Sequence, residues 1–117
     1  MNCPYCEKQA KWVENKEIYG RNYGKSYMVW LCKNCDAYVG CHRNTKKPLG
    51  TMADKETREW RKKAHAIFDP FWKEWEMTRD EAYKMLETAM GKKTHIGESD
   101  IETCKIIIKI LINQIDH

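Results

Sequence analysis

Six cysteines punctuate the 117-residue chain, and four of them form two pairs with two residues inside each: Cys3/Cys6 and Cys32/Cys35, with 25 residues between the pairs. Two intervening residues let a tight turn aim both sulfurs at one point. Two such turns bring four thiolates to about 2.3 Å from one zinc ion in a tetrahedron. All four positions are then filled by protein, so the expected cofactor is one structural Zn2+ with no open position for a reacting molecule. Two other uses of paired cysteines fit less well. Cys3-Pro4-Tyr5-Cys6 has the form of a dithiol redox pair, but only two residues precede it and a β-rich segment follows, where such a pair needs a strand before and a helix after. An iron-sulfur cluster also takes four cysteines, yet two separated, equally spaced pairs suit a zinc ribbon better.

Cys41, His42, His95 and Cys104 make a candidate second set of metal ligands, although no close spacing constrains them. Buried cysteine also serves simply as a small apolar group. His42, Asn44, His65 and Asp69 match the donor types of a metal-dependent nuclease, but both cysteine pairs precede the histidines, the wrong order for a centre flanked by its own zinc knuckles. Gly20 to Ser26 ends in Gly-Lys-Ser, yet three residues separate its glycines where a phosphate-binding loop needs four. No catalytic residue is assigned, and the chain is read as a binding protein rather than an enzyme.

Charge suggests what is bound. The chain has 21 Lys/Arg and 17 Asp/Glu, a net +4, but residues 1–63 carry 14 against 7 and residues 64–117 carry 7 against 10. A basic first half implies an anionic partner. Arg21, Tyr23 and Lys25 mix cations with an aromatic ring, the combination that neutralises phosphates and stacks bases. Arg43, Lys46 and Lys47 follow in a loop, and Arg58 and Lys62 lie on one side of the next helix, completing a candidate nucleic-acid or partner surface. Against this, tyrosines also cover thin ribbons and charged helix faces are commonly just solvated. Phe71, Trp72 and Trp75, or the isoleucine-rich last helix, suit a protein partner instead, and that helix offers a route to a homodimer.

These residues need elements to hold them. Apolar residues are 42% and charged residues 32%, a globular balance that excludes wholesale disorder and collagen-like chains. No apolar run approaches the roughly 20 residues of a membrane span, and the N-terminus lacks the features of a secretory signal, so a cytoplasmic location is expected. Lys11–Val13, Glu17–Tyr19, Ser26–Leu31 and Ala37–Val39 read as short strands, with Gly20 and Gly24 marking a turn. Trp60, Ala64, Ile67 and Phe68 predict a helix that stops before Asp69-Pro70, and Pro70 then opens a short turn capped by Asp69. Thr78-Arg79-Asp80-Glu81 is a capping box for a helix ended by Gly91, and Ser99 to Glu102 is a second box for the last helix. In that helix Ile101, Cys104, Ile108, Leu111 and Ile115 share a face, while Ile106 and Ile110 point to the other side. The fold class is thus α+β: an N-terminal zinc ribbon over residues 1–45, a β-hairpin with two CxxC knuckles, followed by a small C-terminal helical bundle over residues 46–117 packed on it.

The tracts Cys3-Pro4-Tyr5-Cys6, Cys35 to Gly40 with His42, Pro48-Leu49-Gly50-Thr51, Ala64-His65, Phe68-Asp69-Pro70 with Trp72, Arg79, Glu81-Ala82-Tyr83, and His95-Ile96-Gly97 with Asp100 and Cys104 together resemble one family. It is a family of small zinc-finger-containing proteins found mainly in bacteriophages and prophages. Family members often have cysteine just before the His-Ile-Gly turn, where this chain has Thr94, which weakens a second metal site. The resemblance implies a phage setting, which would make the host cytoplasm the location; the basic half suggests nucleic acid as partner, with a host protein as the other choice. A regulator or inhibitor of host machinery is the alternative to a nucleic-acid-binding module, and the resemblance supplies no catalytic residues.

Overall fold

The computed structural model describes residues 1–115. The chain forms two compact units, Met1–Lys55 and Glu56–His117.

In the first unit, β1 (Lys11–Glu14), β2 (Met28–Cys32) and β3 (Ala37–Gly40) make an antiparallel sheet in the order β1-β2-β3. The register sets Trp12 opposite Trp30 and Trp30 opposite Val39. Alternation along a strand therefore gathers Trp12, Trp30, Cys32, Ala37 and Val39 on one face, and Val29, Leu31 and Tyr38 on the other. Glu17–Tyr19, expected as a strand, is instead a single helical turn, α1 (Lys16–Tyr19). A three-residue apolar pattern does not distinguish the two forms. The buried Asn15 decides between them: its carbonyl accepts from the backbone N–H groups of Ile18 and Tyr19, starting the turn. Gly20, at φ 85°, closes it by donating to the Lys16 carbonyl. The Asn15 side chain meanwhile accepts from the Tyr23 N–H and donates to the Tyr23 carbonyl, both at 2.9 Å.

After β3 the chain returns along the sheet. The Leu49 N–H donates to the Gly40 carbonyl, and Tyr38 and Ala53 exchange two backbone bonds of 3.1 Å. This return buries Met52 and Ala53.

The second unit contains α2 (Lys55–Glu74), α3 (Arg79–Met90), a 3-10 turn (Ile96–Glu98) and α4 (Ile101–Ile115). The expected stop before Pro70 does not occur, because α2 runs through it to Glu74. Proline removes one N–H, leaving the carbonyl of Ala66 without its helical donor. Ala66 is exposed, so water can satisfy that carbonyl, while Phe68 and Phe71 on either side of the proline are buried in one core. Asp69 caps nothing; its carboxylate accepts from the Trp72 indole N–H at 3.1 Å. The real end of α2 lies at Glu76, which is left-handed (φ 53°): the Glu76 N–H donates to the Lys73 carbonyl and the Met77 N–H to the Trp72 carbonyl. That is a Schellman closure.

The Thr78/Glu81 capping box and the Gly91 stop of α3 are both present. The cap of α4 sits one residue later than the sequence suggests: Asp100, not Ser99, accepts from the Thr103 N–H at 2.8 Å. Ser99 is occupied otherwise, its hydroxyl donating to the His95 carbonyl and its carbonyl accepting from Arg61 Nε, each at 2.8 Å. Phe68, Leu86, Ile96, Cys104, Ile107 and Leu111 form the centre of the core. Ile110, expected on the far side of α4, is partly buried against this core, whereas Ile106, Ile112 and Ile115 remain exposed. Among the described residues no helix is long and apolar enough to cross a membrane.

Candidate metal centre

Each CxxC pair sits in a tight turn that ends in a left-handed residue. In the first, the Glu7 N–H donates to the Cys3 carbonyl and the Cys3 N–H to the Lys8 carbonyl, both at 2.8 Å, with Glu7 at φ 64°. In the second, the Asp36 N–H donates to the Lys33 carbonyl at 3.3 Å, with Asp36 at φ 49°. The left-handed residue turns the chain back, so the two cysteines before it face the same side. Cys32 comes from the end of β2, and the two arms of the first turn are joined by the Ala10 N–H, which donates to the Met1 carbonyl at 2.9 Å.

The four sulfurs all lie within 4.8 Å of one another, and Cys6 Sγ is 3.7 Å from Cys32 Sγ. A tetrahedron with arms of about 2.3 Å has edges of about 3.8 Å. A disulfide would need about 2.05 Å, and all six cysteines are free. Cys3 and Cys32 are buried and Cys6 and Cys35 half-buried, with Ala10, Ala37, Met52, Trp30 and Val39 packed around them.

Crowding of the four sulfurs also shifts their acidities. Burial raises the Cys3 thiol, but hydrogen bonds from the backbone N–H groups of Tyr5 and Cys6 and from the Cys32 and Cys6 thiols outweigh it, leaving Cys3 below its usual value. Cys35 is pushed up to about 12, first by burial and then by the Cys6, Cys3 and Cys32 thiols and the charge on Cys3. Burial and sulfur crowding thus work against ionising Cys35 when no cation is near. A bound dication removes that obstacle and keeps the sulfurs as thiolates. The donor set fits one structural zinc, which would tie together two turns 25 residues apart in sequence.

Among the described residues no other group of three or more His, Cys, Asp or Glu ligand atoms converges. Cys41, in the first unit, is buried; burial raises its thiol and the nearby Trp12 indole opposes the rise. His42 beside it is exposed. In the second unit His95 accepts the Gly97 N–H on Nδ1 and stacks on Tyr83 at 4.9 Å, and Cys104 is fully buried in the core. Of the nuclease-type residues, His42 and Asn44 belong to the first unit, and His65 and Asp69 occupy successive turns of α2. Burial holds His65 below the usual imidazole value; Asp69 works against this, and Arg79, His95 and Arg61 reinforce it.

The basic residues fall into distinct groups. Arg21 lies over the Tyr23 ring at 4.7 Å, and Tyr19 meets Tyr23 and Tyr38 edge-on. Lys46 lies over the Trp12 ring at 5.0 Å, and its carbonyl accepts from the Trp30 indole N–H at 2.9 Å. Lys25 borders an open groove of about 360 Å³ together with Trp12, Tyr27 and His42. Arg43 and Lys47 are exposed in the return loop, and Arg58 and Lys62 stand one turn apart on α2. Trp12 was missed by the sequence reading. Its signal is the cross-strand register with Trp30, which spacing along one strand does not reveal.

A family model described as a zinc-finger-containing domain matches residues 1–114. No curated protein and no solved structure matches the chain.

Proposed function

Since the chain belongs to this family of zinc-finger-containing domains and its four cysteines converge as a zinc site, we propose that the first unit is a nucleic-acid-binding module held in shape by one structural zinc. The observation that carries this reading is the coincidence of charge and rings in that unit. Residues 1–55 hold ten Lys/Arg against five Asp/Glu, and two of those cations lie over exposed aromatic rings, Arg21 over Tyr23 and Lys46 over Trp12. Rings that stack on bases beside cations that neutralise phosphates are the working parts of such a surface. The setting implied by the family resemblance is the cytoplasm of a phage host.

The test is the salt dependence of oligonucleotide binding by zinc-loaded protein. Each phosphate contact contributes about 0.7 to 0.9 to the slope of log K against log salt. The double variant Arg21→Gln/Lys25→Gln is expected to flatten the slope by roughly twice that amount. An unchanged slope removes these residues from the surface, and no binding at any salt concentration removes the reading.

A second reading, a protein-binding regulator of host machinery, draws on the helical unit, where Trp75, Ile106, Ile112 and Ile115 are exposed. Large apolar and aromatic side chains of this kind are the usual anchors of protein interfaces. Capture of a protein partner that resists salt and nuclease treatment would favour it, and α4 is then the element through which the chain would pair with another molecule or itself.

A further inference from the structure

The groove beside Trp12 takes the nucleic-acid reading one step further, and the inference rests on that reading. Trp12 sits on the edge strand β1, opposite Trp30 and with Lys46 over its ring at 5.0 Å. The Lys46 backbone is tied in turn to the Trp30 indole. A tryptophan held in the sheet's register and covered by a cation on its ring nevertheless keeps 36% of its surface in solvent. An aromatic ring fixed in place and left open is a preorganised platform, and preorganisation lowers the entropy lost on binding. Trp12 and Tyr27, both exposed, wall the same groove, with Lys25 and His42 also at its edge. Lys46 lies over the Trp12 ring without lining the groove, whose walls also include Glu14 and Asn44.

From this juxtaposition we infer that the first unit binds single-stranded rather than duplex nucleic acid, with a base seated in the groove between Trp12 and Tyr27 and the strand's phosphates flanked by Lys25 and Lys46. Bases inside a duplex are already covered on both faces by their neighbours, so an exposed ring platform gains stacking only from an unpaired strand. The groove, about 360 Å³, has room for a flat heterocycle, and a platform that stacks any base carries no demand for one sequence.

Fluorescence anisotropy with a labelled 12-nucleotide thymidylate strand, against a 12-base-pair duplex under the same salt, separates the outcomes. The single strand is expected to bind at least about tenfold tighter. Trp12→Ala is expected to weaken single-strand binding by about fivefold to a hundredfold, the range of one base–aromatic stack. Because the lost contact is uncharged, the salt slope should stay as it was, and Trp12→Phe should recover most of the affinity. Tyr27→Ala, across the groove, repeats the test on a second ring in case Trp12→Ala loses its zinc. Equal or tighter duplex binding, or zinc-loaded ring variants that bind like the parent, overturns the inference while leaving nucleic-acid binding in place. Absence of binding to either oligonucleotide defeats the broader reading as well.

Discussion

Glu7 shows how much the metal centre asks of single residues. A side chain longer than glycine in the left-handed region costs roughly 1 to 2 kcal/mol, and both knuckle turns end in such a residue, Glu7 and Asp36. Aspartate tolerates this conformation better than glutamate. Glu7→Gly keeps the N–H that bonds the Cys3 carbonyl and relieves the strain, so it should stabilise the first unit by about 1 kcal/mol. The gain is measurable as a higher denaturation midpoint of the zinc-loaded protein, and a lower midpoint would show that the Glu7 side chain has a role the turn does not reveal. Cysteine positions were legible in the sequence because sulfur has few uses and their spacing is set by the turn itself. The left-handed glutamate was not legible, since nothing about Glu marks it for that conformation, and Trp12 became visible only when β2 supplied its partner.

At the scale of elements, the ends of α3 match what its sequence predicts, whereas the end of α2 and the start of α4 do not. Thr78 and Glu81 cap α3 as their spacing predicts. Pro70 was read as a stop because its missing N–H usually ends a helix, but two buried phenylalanines outweigh one lost bond at an exposed carbonyl. α4 was shifted by one residue because Ser99 prefers the His95 carbonyl, leaving Asp100 as the cap. That cap makes the helical unit sensitive to acid. The Asp100 carboxyl is held below its usual value of 3.8 by bonds from the Thr103 hydroxyl and N–H, and Glu81 below 4.5 by bonds from the Thr78 N–H and hydroxyl. Depressed values in the folded state mean that their stabilisation is full above the unfolded values and lost as pH falls through the folded ones. Acid titration followed by helical ellipticity should therefore show α3 and α4 weakening below about pH 4.5. Asp100→Asn retains a capping oxygen without the charge, so its acid limb should be flatter while its stability at pH 7 stays close to the parent's. An acid limb as steep as the parent's would assign the sensitivity elsewhere.

For the whole molecule, the two units draw on different sources of stability. The first has a small cluster built around its cysteines, whereas the second has a continuous core supplied by α2, α3 and α4 with the 3-10 turn. Structural zinc contributes roughly 10 to 16 kcal/mol in small metal domains, as much as the entire stability of a typical domain. Metal analysis should return one zinc per chain. Chelation, or Cys32→Ser, should collapse the amide NMR signals of residues 1–55 while those of residues 56–115 stay dispersed. Well-dispersed signals from metal-free residues 1–55 would show that the sheet needs no ion. The division of charge follows the same line: the basic excess belongs to the unit that holds the four-cysteine cluster, so loss of zinc is expected to disorder those basic residues along with the sheet. One further property lies in Asn15, whose amide makes with Tyr23 both of the bonds that a neighbouring peptide group would make. That pair closes the segment between them as a local loop of its own, so a change confined to its exposed residues 20–22 is expected to leave the β1–β2 register as it is.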